Sequence, residues 1–326
     1  MQSPPENPAF TEPPRTGPKS SQKFPVAGPV GLRAGWRLLI FFAIFGLLFV
    51  ASVFLRFGGP RGVQNAYRNL GQTAHTPLFM GKSSAIAFLV VCLSTWIMSR
   101  IERRKFSDYG LPFGGVLKKD FWFGCALGFL GIGGTLLAIF LLHGCRITGL
   151  ALHGTQILSS SLAWVLAFLF VGLSEEFLFR GYMQYTLACG IGFWPAAFVL
   201  SGLFGLGHVL NSRENIVGSI SVVMFGLLLC LFLGRSGNLW CAVGFHLGYD
   251  WGQTFFFGVP DSGIVPYHNL LNSTLSGPKW LTGGIVGPEA SVLTPIALLI
   301  VAAIFSRFYS ENRYRVGISQ WPKKVQ

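Results

Sequence analysis

Leu162-Ala163-Trp164-Val165-Leu166-Ala167-Phe168-Leu169-Phe170-Val171-Gly172-Leu173-Ser174-Glu175-Glu176-Phe177-Leu178-Phe179-Arg180 is a stretch fit for lipid that ends in two adjacent acids and a base. A charge near the centre of a membrane helix costs roughly 2.5–3.5 kcal/mol on insertion scales. Two such groups side by side are excluded unless something uses them, so this segment marks both a membrane span and a place to look for chemistry.

The rest of the chain agrees with a membrane setting. Of 326 residues, 51% are hydrophobic and 11% charged, against about 25% charged in soluble domains, and mean hydropathy is +0.54. The net charge of +13 could suggest nucleic acid, but many of the basic residues gather in the tails and in one loop. That is the footprint of cytoplasmic segments beside anionic lipid, so membrane lipid is an expected partner and nucleic acid is not. The six cysteines form no Cys-x-x-Cys pair and most sit in apolar runs, which suits small buried residues better than disulfides or a thiolate zinc site.

The predicted fold is all-α, a polytopic transmembrane bundle of about eight helices. Each span is near the 20 residues a bilayer requires, at about 36–56, 84–100, 120–142, 160–182, 193–210, 217–234, 238–258 and 290–309. Residues 1–33, rich in Pro, Ser and Lys, are expected to be a disordered cytoplasmic tail. The bundle occupies 34–312, with its motif-bearing core at 160–255, and 313–326 form a basic cytoplasmic tail. Glycines 124, 128, 131, 133 and 134 in the third span suit close helix packing in lipid. Lys and Arg are dense in the N-terminal tail, the loop after span two and the C-terminal tail, which places both ends in the cytoplasm; Arg61, Arg68 and Lys82 fit this pattern imperfectly. The long Gly- and Pro-containing segment 259–289 is a candidate cap over a cavity mouth.

An inventory of ionisable groups narrows the search. Of twelve Asp and Glu, only Glu175, Glu176 and Asp250 fall well inside spans; of six His, only His208 and His246 clearly do so. Arg180 completes the set, and all six can face one interior cavity. Glu176 and Arg180 are four apart in the favourable order on one helix face. They read as a neutralised structural pair, which leaves Glu175 free to act. His246 and Asp250 are also four apart, and Asp250 can orient His246. His208 follows Phe204 by four, with Gly205 and Gly207 between them. A proton-coupled transporter would use such groups too, although no repeat-related broken helices are evident. A non-catalytic scaffold or immunity-type membrane protein is a further alternative.

Glu175-Glu176-x-x-x-Arg180, Phe204-x-x-x-His208 and His246-x-x-x-Asp250, in that order, resemble the motifs of the CPBP family, the CAAX-prenyl-endopeptidase-type and bacteriocin-processing (Abi) intramembrane proteases. The resemblance covers roughly 160–255. It implies hydrolysis of a peptide bond in a membrane-associated protein or peptide, in an integral protein of a bacterial inner membrane. The catalytic residues it implies are Glu175, His208, His246 and Asp250, supported by Glu176, Arg180 and Phe204. The third motif ends in Asn or Asp in this family, and Asp250 lacks the amide donor unless protonated. Glu175 and His208 can activate water directly. Alternatively Glu175, His208 and His246 could be ligands of a catalytic zinc, although the sequence holds no His-Glu-x-x-His.

One tension follows from the predicted boundaries. A straight fifth span entering at 193 carries His208 about 22 Å deep at ~1.5 Å per residue, out of step with Glu175. Either that helix is displaced or part of 177–192 lies along the membrane interface.

Overall fold

The computed structural model describes residues 27–28, 31–69, 76–209 and 215–314. Most of the expected N-terminal tail, and the C-terminal tail beyond Tyr314, lie outside the described residues. Strands β1 (Ala27–Gly28) and β2 (Gly31–Leu32) pair antiparallel just before the first helix.

The helices are α1 (Ala34–Phe57), α2 (Pro60–Asn69), α3 (Pro77–Ile101), α4 (Lys119–Leu141), α5 (Thr155–Ile191), α6 (Phe193–Val209) and α7 (Ile216–Ser236), followed by α8 (Trp240–Asp250), the short α9 (Lys279–Thr282) and α10 (Leu293–Phe308). Among the described residues α1, α3, α4, α5 and α7 are long and apolar enough to cross a membrane, and α6 and α10 are shorter apolar helices. The protein is thus a mostly helical polytopic membrane bundle. Its outward faces carry exposed Leu47, Leu55, Leu89, Leu130 and Leu166, the apolar surface that lipid would cover.

Local chemistry explains several boundaries. Thr76 caps α3, its hydroxyl accepting from the Phe79 amide, and Pro77 fills the first turn. The helix therefore begins seven residues before the span predicted at 84. Asn215 caps α7 in the same way through the Gly218 amide. The amphipathic α2 and the pairing of β3 (Cys145–Leu150) with β4 (Leu271–Leu275), antiparallel from Cys145↔Leu275 to Leu150↔Leu271, were not anticipated. Both lie outside the apolar spans.

The closest helix pair is α4 with α8. A methyl group on Gly124 would stand 2.2 Å from the Cys241 carbonyl oxygen, and one on Gly128 would stand 2.1 Å from that of Phe245. From the other side, a methyl group on Gly244 would stand 2.1 Å from the Phe121 carbonyl oxygen and one on Gly248 2.2 Å from that of Cys125. Two Gly-x-x-x-Gly faces thus lie backbone on backbone, the small-residue packing that joins helices where lipid offers no hydrophobic drive. Helix α5 lies between α3 and α8, with α6 packed on α7.

At one end of the bundle Glu102 gathers α1, α3 and α5. Its carboxylate accepts from Arg37, from the Tyr109 hydroxyl at 3.0 Å and from the Tyr182 hydroxyl. Arg37, Glu102 and both tyrosines are buried, so the ion pair carries the additional hydrogen bonds that make burial tolerable. Burial and the neighbouring Glu102 carboxylate push the Tyr109 hydroxyl above its ordinary range.

Gly128→Leu is expected to destabilise the protein by about 3 kcal/mol through overpacking against backbone. Gly134→Ala, with nothing within 4 Å, should leave stability unchanged or raise it. Thermal unfolding of both variants in detergent checks the contrast.

Candidate active site

Three helices bring the site together, and two of them change geometry at it. Helix α5 passes from regular α-helix at Glu176 into a π-helical turn over Phe177–Met183, then resumes to Ile191. Helix α8 does the same after Asp250, continuing as a π-helical turn over Trp251–Phe256. Such turns re-aim side chains and are frequent at functional sites. Here each begins at the residue after a site acid.

The same continuity removes the depth conflict. The fourth span does not end at 182, and 177–191 do not form a separate surface helix. The chain turns at Gly192, φ 90°, and α6 returns beside α5. Glu176 lies sixteen residues before Gly192 and His208 sixteen after it, so both stand at one depth, about 24 Å from the turn. Arg180 and Phe204, each twelve residues from Gly192, meet directly, with the guanidinium 4.5 Å from the ring centroid.

Glu176 and Glu175 occupy different environments. Glu176 is fully buried, and its Oε1 accepts from Arg180 Nη1 at 3.1 Å and from His246 Nδ1 at 2.9 Å. It is therefore more than a partner for Arg180, because it also fixes the imidazole. The Glu175 side chain is 36% exposed, lines a cavity of ≈ 250 Å³, and brings Oε2 to 3.7 Å from His246 Nε2. The same Nε2 lies 3.3 Å from Asp250 Oδ2. The His246 ring is thus held edge-on by three carboxyl groups, with Phe225 at 5.3 Å across its face. On α5, Gly172 lets the His246 Cβ approach to 3.3 Å of where a methyl group would stand.

His208 lines the cavity from α6 and is half-buried. Its Nδ1 donates to the Phe204 carbonyl at 2.9 Å, which leaves Nε2 as an acceptor in the neutral ring. Phe204 packs between His208 and Arg180, 4.7 Å from the His208 ring and under the Arg180 guanidinium. The cavity is thus shared by Glu175, His208, His246 and Asp250, with Phe204 also on its wall and Glu176 and Arg180 packed behind.

The inventory of spans missed two further acids. Asp261 and Glu289 belong to segment 259–289, and with Ser262 and Ile264 they line the same cavity. The segment expected as a cap contributes a wall of the cavity, with polar groups of its own. A signal was present: Asp261 follows Gly258-Val259-Pro260 and Glu289 follows Gly287-Pro288, so each acid comes directly after a turn. Burial and the adjoining Glu289 carboxyl push the Asp261 carboxyl well above the usual carboxylate range.

A zinc site would need Glu175, His208 and His246 to converge with free donor atoms. Among the described residues no group of three or more His, Cys, Asp or Glu is arranged to hold a metal. Both His246 nitrogens already face carboxylates. The donor set does not fit the ion as arranged.

Arg180→Met leaves the Glu176 carboxyl buried without its cation and is expected to cost about 3–5 kcal/mol. Adding Glu176→Gln should recover most of that loss, because both charges are then gone. Detergent unfolding of the single and double variants measures the coupling.

Residues 157–252 match the family model for type II CAAX prenyl endopeptidase Rce1-like proteins. No curated protein and no solved structure matches the chain. The matched span runs from α5 to the π-helical turn after α8 and contains every site residue that the three motifs supplied. Over residues 157–252 the chain is therefore similar to the Rce1-like, CAAX-type proteases, in agreement with the CPBP motifs.

Proposed function

We propose that the protein is an intramembrane endopeptidase of the glutamate type, in which Glu175 activates a water held between itself and His208. The observation that carries this reading is the split between the paired glutamates. One is spent on Arg180 and His246, while the other opens onto the cavity beside two histidines.

In the proposed reaction, Glu175 takes a proton from the water as its oxygen attacks the scissile carbonyl carbon. His208 Nε2 accepts the water's other hydrogen bond and so aims the oxygen lone pair. The developing oxyanion is stabilised by His246. In the imidazolium form this ring donates through Nδ1 to Glu176 and keeps Nε2–H for the cavity. Asp250 holds that Nε2 edge in place, a role for which a carboxylate serves in place of an amide. When the tetrahedral intermediate collapses, the carbon–nitrogen bond breaks and Glu175 returns its proton to the leaving amine. The products are a carboxylic acid and an amine, which ionise to a carboxylate and an ammonium when the acid's proton passes to the amine, and the protein returns to its starting state.

The substrate is a membrane-associated protein or peptide reaching the cavity between apolar side chains such as Met80, Phe168 and Val171. Placement in a bacterial inner membrane rests on the family resemblance, and the cytoplasmic position of both ends rests on the Lys and Arg distribution.

Purified Glu175→Gln and His208→Ala proteins are expected to lose at least about 10²-fold in peptide release while remaining inserted and folded. Full activity in either would sink the assignment. A chelator should leave the wild-type rate unchanged. Loss on chelation with restoration by zinc would transfer the role of Glu175 and the histidines to metal binding.

A further inference from the structure

We propose that Tyr182 is a positioning residue for the reaction above: its hydroxyl, bound to Glu102, holds the π-helical turn of α5 in register, and that register aims Glu175 at the cavity. This rests on the peptidase reading and adds to it a residue that lies outside the three motifs.

The turn over Phe177–Met183 separates two regular pieces of α5. A π turn closes its hydrogen bonds one residue further along the chain than an α turn does. Relaxing it to α-helix would therefore rotate one piece against the other by about 100°, the angle of one residue. The first piece ends in Glu175 and Glu176. A rotation of that size is the angle between neighbours, so it would turn Glu175 off the cavity and draw Glu176 away from His246. Isolated π turns are rare, and this one persists because both pieces are held from outside.

The first piece is held by its packing. A methyl group on Gly81 of α3 would stand 3.3 Å from the Ala167 Cα, and one on Gly172 would stand 3.3 Å from the His246 Cβ. The second piece is held by Tyr182, which is fully buried. Its hydroxyl donates to Glu102 Oε1 at 2.5 Å, and its ring stacks on Phe41 of α1 with centroids 4.4 Å apart. Glu102 is itself fixed. Arg37 of α1 donates to both of its oxygens, and the Tyr109 hydroxyl donates to Oε2 at 3.0 Å. A hydrogen bond to a charged acceptor is stronger than one between neutral groups, so Tyr182 is tied to the firmest point at this end of the bundle.

The two tyrosines on Glu102 are alike as donors and differ in where they sit. Tyr109 belongs to the loop after α3. Tyr182 belongs to the turn itself, two residues past Arg180, which pairs with Glu176. The hydroxyl of Tyr182 alone carries the anchor into α5. The turn has little slack to absorb its loss, since a methyl group on Gly181 would stand 2.6 Å from the Phe177 ring.

The test compares the two tyrosines. Tyr182→Phe and Tyr109→Phe each remove one hydroxyl from Glu102, so they should lower the thermal unfolding temperature in detergent by similar amounts. Only Tyr182→Phe should slow the reaction. Its kcat for peptide release is expected to fall at least about tenfold with KM within about twofold of wild type, while Tyr109→Phe keeps both within about twofold. Equal kcat in the two variants, or a change in KM alone, overturns the proposal. Register is then read directly. Glu175→Cys protein is treated with a small charged thiol reagent, and label at position 175 is followed by peptide mass spectrometry. Adding Tyr182→Phe should slow that labelling at least about tenfold, because the thiol leaves the cavity, whereas adding Tyr109→Phe should not change it. One labelling rate in all three proteins overturns the proposal. If Tyr182→Phe fails to fold, Phe41→Leu decides, since it removes the ring stacked on Tyr182. Both rates should fall part-way there, and unchanged rates overturn the positioning role. Absence of peptide release from wild-type protein sinks the peptidase reading while the labelling still decides the turn. Release by wild type with equal kcat in the two tyrosine variants sinks the positioning role alone.

Discussion

The crossing of α4 and α8 at four glycines is the constraint on which the rest of this structure depends. Helix α8 carries His246 and Asp250, and its position is set where two backbones meet with no side chain between them. Lipid gives no hydrophobic drive for such an approach, so it rests on dispersion and close carbonyl contacts. Gly244 and Gly248 bracket His246 along α8. The face that makes the helix pair and the face that presents the imidazole are thereby locked in rotation to each other. A side chain on any of the four glycines would move the histidine as well as weaken the bundle.

From that fixed point the site is built outward by hydrogen bonds and ring contacts. Glu176 receives His246 on one side and Arg180 on the other through a single oxygen, and Arg180 in turn lies over Phe204, against which His208 stacks. A chain of contacts therefore runs from α8 through α5 to α6. The π-helical turns after Glu176 and Asp250 belong to the same design. Each shifts the helical register just past the acid, so that residues on either side of it serve different neighbours. Glu175 and Glu176 both precede the first of these turns, and the roughly 100° between neighbours on regular α-helix already sends two chemically identical side chains to opposite circumstances.

Segment 259–289 supplies another wall of the cavity. Its ends meet at Gly287 and Pro260, and it brings two carboxyl groups to a wall otherwise made of helix. Together with Glu175 and Asp250 they give the cavity an acidic lining, even though the chain as a whole is strongly basic. Net charge describes the tails and loops that meet water and lipid, while the local field at the site has the opposite sign.

The sequence by itself determined that this is a helical membrane protein and that six ionisable residues needed explaining, because charge in an apolar span is costly enough to be visible in one chain. Spacing of four showed which of them share a helix face, and the glycines of α4 announced close packing. The sequence did not reveal that α5 runs on to Ile191 and so brings Glu176 and His208 to one depth, because a π turn has no apolar period of its own. Nor did it show that Glu176 holds His246, since that bond joins residues seventy apart. Asp261 and Glu289 were hidden because they lie in a segment that reads as loop. Only the tertiary structure folds that segment back over the cavity, through a glycine contact whose partner, Pro260, is far from it in the chain.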